Sequence, residues 1–157
     1  MSLEIERKFI VQKCVDFENL STKKYEISQG YLSSDPDMTI RLRIKNEKAF
    51  LTIKTRNEGP IRKEWEYELP VDDAREIFNN TKIPLLTKVR YEIPYENHIW
   101  EIDVFKGELE GLILAEIELS CVNETFSVPD FIGEEVTDDA RYYNSNLIKT
   151  SFPPNHV

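Results

Sequence analysis

Cysteine is nearly absent. Cys14 and Cys121 are the only two in 157 residues, they form no CxxC pair, and they imply no disulfide framework. No apolar run approaches the ~20 residues that cross a bilayer, and the chain begins in a charged strand instead of a signal-peptide apolar segment. A reducing cytoplasm is therefore the expected location. Internal repeats, low-complexity tracts and a flexible linker are also missing, so one domain over residues 1–157 is expected, long enough for a real core. Histidine is confined to His98, in the turn Glu96-Asn97-His98, and His156 in the tail. Neither has a serine or cysteine at suggestive spacing, and both are expected at the surface. Positive charge is in deficit: 20 Lys and Arg against 29 Asp and Glu give a net charge of −9. Such a surface repels DNA, RNA and anionic membranes, so neither DNA nor a membrane is an expected partner.

What the chain does have is alternation. Turn-like segments at 33–37, 45–48, 56–60, 96–97 and 106–108 separate runs rich in β-branched and aromatic residues. Strands are expected near 2–11, 25–32, 38–45, 49–56, 61–69, 85–95, 98–106 and 112–120, several joined by connections short enough for antiparallel hairpins. Helices are few. Pro70 and the acids at Asp72 and Asp73 mark a helix start near 72–78, a single turn is expected at 16–20, and 138–149 is expected to hold one or two more. Eight antiparallel strands with sparse helices favour a mainly β fold, either a closed barrel or a sandwich; closure removes the sheet edges.

The charges share strand faces. Glu4, Glu6 and Lys8 oppose Leu3, Ile5, Phe9 and Val11. Arg41 and Arg43 oppose Ile40, Leu42 and Ile44; Thr52, Lys54 and Arg56 oppose Leu51 and Ile53. The pattern continues with Glu64 and Glu66 against Trp65, Lys88 and Arg90 against Val89, Glu101 and Asp103 against Trp100, and Glu116 and Glu118 against Ile117. The strand 25–32 is the weak member, with Tyr25, Ile27, Gln29 and Tyr31 on one face. Two arrangements satisfy this pattern. In one, charges face solvent and apolar faces fill the interior, as in most antiparallel sheets. In the other the barrel is inverted, with charges around a wet bore and apolar faces covered by helices or by a second copy in a homodimer. Acids in same-face pairs suit hard divalent cations, and bases in same-face pairs repel unless an anion lies between them.

Glu4-Ile5-Glu6-Arg7-Lys8 resembles the ExExK signature of the CYTH superfamily, the triphosphate tunnel metalloenzymes. The resemblance continues in order through Gln29-Gly30-Tyr31-Leu32, Arg41-Leu42-Arg43, Leu51-Thr52-Ile53-Lys54, Glu64-Trp65-Glu66, Lys88-Val89-Arg90-Tyr91, Glu101-Ile102-Asp103-Val104-Phe105, the run 111–119 and the run 135–144. It implies the inverted arrangement: a closed eight-stranded antiparallel barrel, with a few short helices outside and a C-terminal helical segment. It also implies binding of triphosphate with one or two Mg²⁺ or Mn²⁺ ions. The chain looks most similar to the bacterial tripolyphosphatase group, so hydrolysis of inorganic triphosphate, and of nucleoside triphosphates, to diphosphate and phosphate is the expected activity. A class IV adenylyl cyclase or a thiamine triphosphatase on the same fold is the first alternative, and a non-catalytic polyphosphate or nucleotide sensor the second. Carried over by position, Lys8, Arg41, Arg43, Lys54, Arg56, Lys88 and Arg90 would grip phosphates. Glu4, Glu6, Glu64, Glu66, Asp103, Glu116 and Glu118 would serve the metal, and Lys8 with Tyr31 would orient or deprotonate water. Arg62, Glu68 and Glu92, near strand ends, are expected in solvent.

Overall fold

The computed structural model describes residues 1–149; His156 lies outside them. Nine strands form one sheet: β1 Ser2–Val11, β2 Lys23–Asp35, β3 Met38–Lys45, β4 Lys48–Thr55, β5 Ile61–Leu69, β6 Leu86–Tyr95, β7 His98–Phe105, β8 Ile113–Glu118 and β9 Ile132–Glu135. The order β5-β4-β3-β2-β6-β7-β8-β1 closes because the N-terminal half of β1 also pairs with β5, Glu4 opposite Arg62. The remaining half of β1 pairs with β8 on one side, and on the other with β9, a four-residue strand beyond the eight expected from sequence. The result is a closed antiparallel barrel of eight strands with one appended.

The hairpins follow from local chemistry. β6 and β7 meet at a two-residue turn in which Glu96 and Asn97 both take positive φ, +45° and +68°, the conformation whose twist matches paired strands. Helix α2 (Val71–Asn80) follows Pro70, with Asp72 and Asp73 in its first turn facing the positive end of the helix dipole. Its apolar stripe, Val71, Ala74, Ile77 and Phe78, packs on Leu42, Ile44, Ala49, Leu51 and Leu69, the outward side chains of β3–β5. The short α1 (Phe17–Leu20) is capped by Asp16 accepting from the Asn19 backbone N–H, and buries Phe17.

The apolar faces do point outward, and sparse helices do not leave them bare. Ile5, Phe9, Ile93, Trp100, Ile102, Ala115 and Ile117 of β1 and β6–β8 are buried beneath Phe17, Phe126, Phe131 and Ile132. Trp100 is fully buried and meets Phe9 edge-on with ring centroids 5.3 Å apart; burying an aromatic ring of this size contributes roughly 1.5–3 kcal/mol. Phe126 and Phe131 come from the non-helical stretch 119–131, invisible to a search for helices, with Phe17 from α1 and Ile132 from β9. A second finding concerns the bore itself. Beyond Lys8, Glu116, Asp103 and Lys88, the next inner positions on the same strands are Ile10, Leu114, Phe105 and Leu86. These pack with Tyr142 and Leu147 from the C-terminal turn Ala140–Tyr142 and from α3 (Asn144–Leu147). An apolar plug therefore fills that end of the barrel.

Candidate active site in the charged bore

Alternation along eight strands turns Glu4, Glu6 and Lys8 (β1), Tyr31 (β2), Thr39, Arg41 and Arg43 (β3), Lys54 (β4), Arg62, Glu64 and Glu66 (β5), Arg90 (β6), Glu101 (β7), and Glu116 and Glu118 (β8) into one cavity of about 230 Å³. The turn residues Asn57, Gly59 and Pro60 and the C-terminal residues Thr137, Tyr143, Asn144 and Ser145 complete its wall. The bore thus brings together twelve of the fifteen residues named from sequence.

The other three lie elsewhere, each for a physical reason. Arg56 is exposed at the end of the β4 hairpin and pairs with Asp37 at 2.6 Å, so it belongs to the surface. Arg56→Ala is expected to leave KM for tripolyphosphate within about twofold, the scale of an ordinary surface change; steady-state kinetics checks it. Asp103 and Lys88 face inward but do not line the cavity. Lys88 Nζ donates to Asp103 at 2.7 Å, and Arg90 donates to both Asp103 oxygens at 2.7 and 2.8 Å, so the expected metal ligand is already occupied by two cations. Burial, opposed by Asp103, leaves the Lys88 ammonium lowered to about 7. Against burial, Arg90 and Lys88 hold the Asp103 carboxyl below its ordinary value.

One residue assigned to solvent turns inward. Arg62 lines the cavity, donating from Nε to the Thr55 carbonyl at 2.7 Å and from a terminal nitrogen to Thr39 Oγ1 at 3.0 Å. Its period-two spacing with Glu64 and Glu66 carried that signal, and strand-end position was the wrong reason to discount it. His98 is also more than a surface residue: it is partly buried and bonds Glu124 at 2.5 Å. Trp65 and Trp100 sit on the outward faces, as their alternation requires. Cys14 and Cys121 are free and exposed.

Charge in the bore is arranged by strand. Acids crowd on β1 and β8. Lys54 Nζ bonds both Glu4 oxygens at 2.8 and 2.9 Å, and although burial pushes the Glu4 carboxyl up, Lys54 brings it below its ordinary value. Glu116 is lowered well below the ordinary range, because Lys8 and Arg90, each 3.5 Å away, outweigh burial. For Glu6 the lysines Lys54 and Lys8 do not outweigh burial. Burial, Glu116 and Glu4, opposed by Lys54 and Lys8, push it well above 4.5. Lys8 is raised despite its burial by Glu116 and Glu6, donates to the Tyr142 carbonyl at 3.0 Å, and is an ammonium at neutral pH. Bases dominate on β3. Arg43 is buried beside Arg41 and Arg90 with no carboxylate within ion-pair distance among the described residues, and burial with those neighbours lowers it to about 9. Among the described residues, buried Arg41 Nε has no hydrogen-bond partner.

A family model, the CYTH domain, matches residues 2–149. The chain belongs to the CYTH family. Among curated proteins, it is 45% identical over 153 residues to the inorganic triphosphatase of Acetivibrio thermocellus, covering 97% of each chain. It is 35% identical over 149 residues to that of Nitrosomonas europaea, covering 92% of this chain and 95% of the relative. A crystal structure of an inorganic triphosphatase superposes with a TM-score of 0.69 at 31% identity, spanning 98% of this chain and 99% of that one.

CYTH membership implies dependence on a divalent metal, and the donor chemistry of the bore fits. The crowded acids Glu4, Glu6 and Glu116 present hard carboxylate oxygens, and burial beside Glu116 and Glu4 pushes the Glu6 carboxyl up. Among the described residues no three acidic, histidine or cysteine groups already form a metal cage, so the bore supplies the donors without a finished site. A pH dependence follows. Folding raises the Glu6 pKa, so its contribution favours the fold at acid pH and is lost as pH rises through its folded value. Glu118 and Glu64, also raised by burial and neighbouring acids, act in the same sense. Between 4.5 and about 7, where Lys88 starts to titrate, the thermal midpoint in EDTA is expected to fall with rising pH. Mn²⁺ is expected to flatten that slope and to bind more tightly as pH rises; melting curves across pH check both.

Proposed function

We propose that the protein hydrolyses inorganic triphosphate to diphosphate and phosphate in the bore, with Mg²⁺ or Mn²⁺. Kinship along nearly the whole chain with two inorganic triphosphatases carries this reading. The geometry supports it: phosphoryl transfer through a loose transition state needs placement and charge stabilisation more than covalent chemistry. Arg41, Arg43 and Arg62 take the phosphate oxygens, because they are the bore cations least compensated by carboxylates. Arg90, held by Asp103, Glu101 and Glu116, offers a fixed wall of positive charge. Lys54, bonded to both Glu4 oxygens, ties the phosphate side of the bore to the acid side. Glu4, Glu6, Glu116 and Glu118 would hold the metal, with Glu64 and Glu66 as further acids of the bore. A divalent ion there supplies Lewis-acid neutralisation of charge on the phosphoryl oxygens. Lys8 keeps its proton and orients, rather than deprotonates, the attacking water, with Tyr31 beside it. No indole faces the bore to stack on a base, which favours inorganic triphosphate over a nucleotide.

The test is a panel of tripolyphosphate, ATP and thiamine triphosphate with Mg²⁺ or Mn²⁺, with phosphate, diphosphate and cyclic AMP all quantified. Equal phosphate and diphosphate from tripolyphosphate, abolished by EDTA, is expected. Intact tripolyphosphate alongside cyclic AMP from ATP would overturn the reading.

A further inference from the structure

Gln29 is fully buried on the inner face of β2, yet it does not line the cavity. Its register places it opposite Arg43 of β3 and Leu86 of β6. Gln29 Oε1 accepts from Arg43 Nε at 2.8 Å, and among the described residues Gln29 Nε2 has no partner. The amide orientation is set by chemistry, since a guanidinium can only donate. The backbone is equally constrained. A Cβ on the next residue, Gly30, would stand 2.9 Å from Ile83 Cδ1 and 3.1 Å from the Pro84 carbonyl oxygen, so the segment 83–84 lies directly on β2 here.

Most inward cations lean on carboxylates, whereas Arg62 leans on the Thr55 carbonyl and Thr39. Lys54 leans on Glu4, Lys8 on Glu116, Lys88 on Asp103, and Arg90 on three acids. Arg43 leans on an uncharged amide. A glutamate has nearly the same shape and would bond the same Nε, but it would also neutralise the guanidinium and repel an incoming polyanion. A buried arginine held by a neutral acceptor keeps its full charge and a fixed orientation.

We propose that Gln29 is a positioning residue for triphosphate: it fixes Arg43 by its Nε, leaves the terminal nitrogens to the bore, and preserves the positive charge for the substrate. The proposal rests on the triphosphatase reading for its substrate. The side chain does not touch the reacting atoms and acts through Arg43.

The test uses the full chain carrying Gln29→Met, which removes the acceptor at similar length, or Gln29→Glu, which keeps the acceptor and adds charge. KM for tripolyphosphate is expected to rise about tenfold with Met, the scale of a hydrogen bond to a charged group, and further with Glu, while kcat stays within about threefold. In an Arg43→Lys background, which lacks the Nε, Gln29→Met is expected to add less than about twofold. The proposal is overturned by an unchanged KM in both variants. It is equally overturned by a fall in kcat alone, or by a Gln29→Met penalty as large in the Arg43→Lys background as in the parent. If Gln29→Glu does not fold, the Met variant and the cycle decide. If the parent chain proves inactive, the triphosphatase reading fails separately. Calorimetric titration of tripolyphosphate in EDTA then decides this proposal: about tenfold weaker binding by Gln29→Met supports it, and equal affinity, or no binding by the parent, overturns it.

Discussion

Glu6→Gln is expected to lower kcat for tripolyphosphate by about a thousandfold, or about 4 kcal/mol of barrier, while the chain stays folded. Glu6 sits among Glu4 and Glu116, and burial with those two acids pushes its carboxyl well above 4.5. An amide has the same shape and no charge to desolvate, so the variant's thermal midpoint in EDTA should equal or exceed the parent's at neutral pH. The same amide is a poor ligand for a hard dication, and stabilisation by Mn²⁺ should shrink. Loss of turnover joined to unchanged or higher metal-free stability separates a residue kept for chemistry from one kept for folding. Steady-state kinetics and melting curves with and without Mn²⁺ read both halves; a stability loss without a catalytic one would contradict the assignment.

Asp103→Asn should behave in the opposite way. Asp103 is buried with Lys88 and Arg90 on its two oxygens. Removing its charge leaves buried Lys88 without its ion-pair partner and Arg90 with only Glu101 and Glu116, and breaking a buried pair of this kind costs about 3–5 kcal/mol. For a chain of this length that corresponds to a fall in thermal midpoint of about 10 °C. The dependence of remaining activity on metal concentration should be unchanged, since the carboxylate contacts cations of the protein and does not line the cavity. A shifted metal dependence with a parental midpoint would return Asp103 to the ligand set.

These two residues also show how far the sequence could be read. Period-two alternation places Glu6 and Asp103 on inner faces equally well, and it located all eight barrel strands. Alternation says which way a side chain points and nothing of what waits across the bore. Asp103 is tied to Arg90 because β6 runs beside β7 in a register that sets the two directly opposite each other, and register is a tertiary fact. Arg62 shows the converse. Its face was legible, but its strand end is folded into the wall because β1 pairs with β5 and closes the barrel there. β9 was missed because four residues, Ile-Gly-Glu-Glu, carry too little pattern to register as a strand. The cover over the outward apolar faces was missed because 119–131 has neither helical nor strand periodicity. Gln29 was placed on its strand face but given no role, since a neutral amide among charges gains meaning only when Arg43 is seen to have no carboxylate beside it.

The most direct measurement is a crystal structure of the protein with tripolyphosphate and Mn²⁺, read by anomalous scattering at the manganese edge. The account predicts a manganese peak against the carboxylates of Glu4, Glu6 and Glu116, and phosphate oxygens on Arg41 and Arg43, inside the bore and short of the Ile10–Leu114–Phe105 plug. Manganese and tripolyphosphate bound on the outer surface, with the bore holding only water, would contradict it.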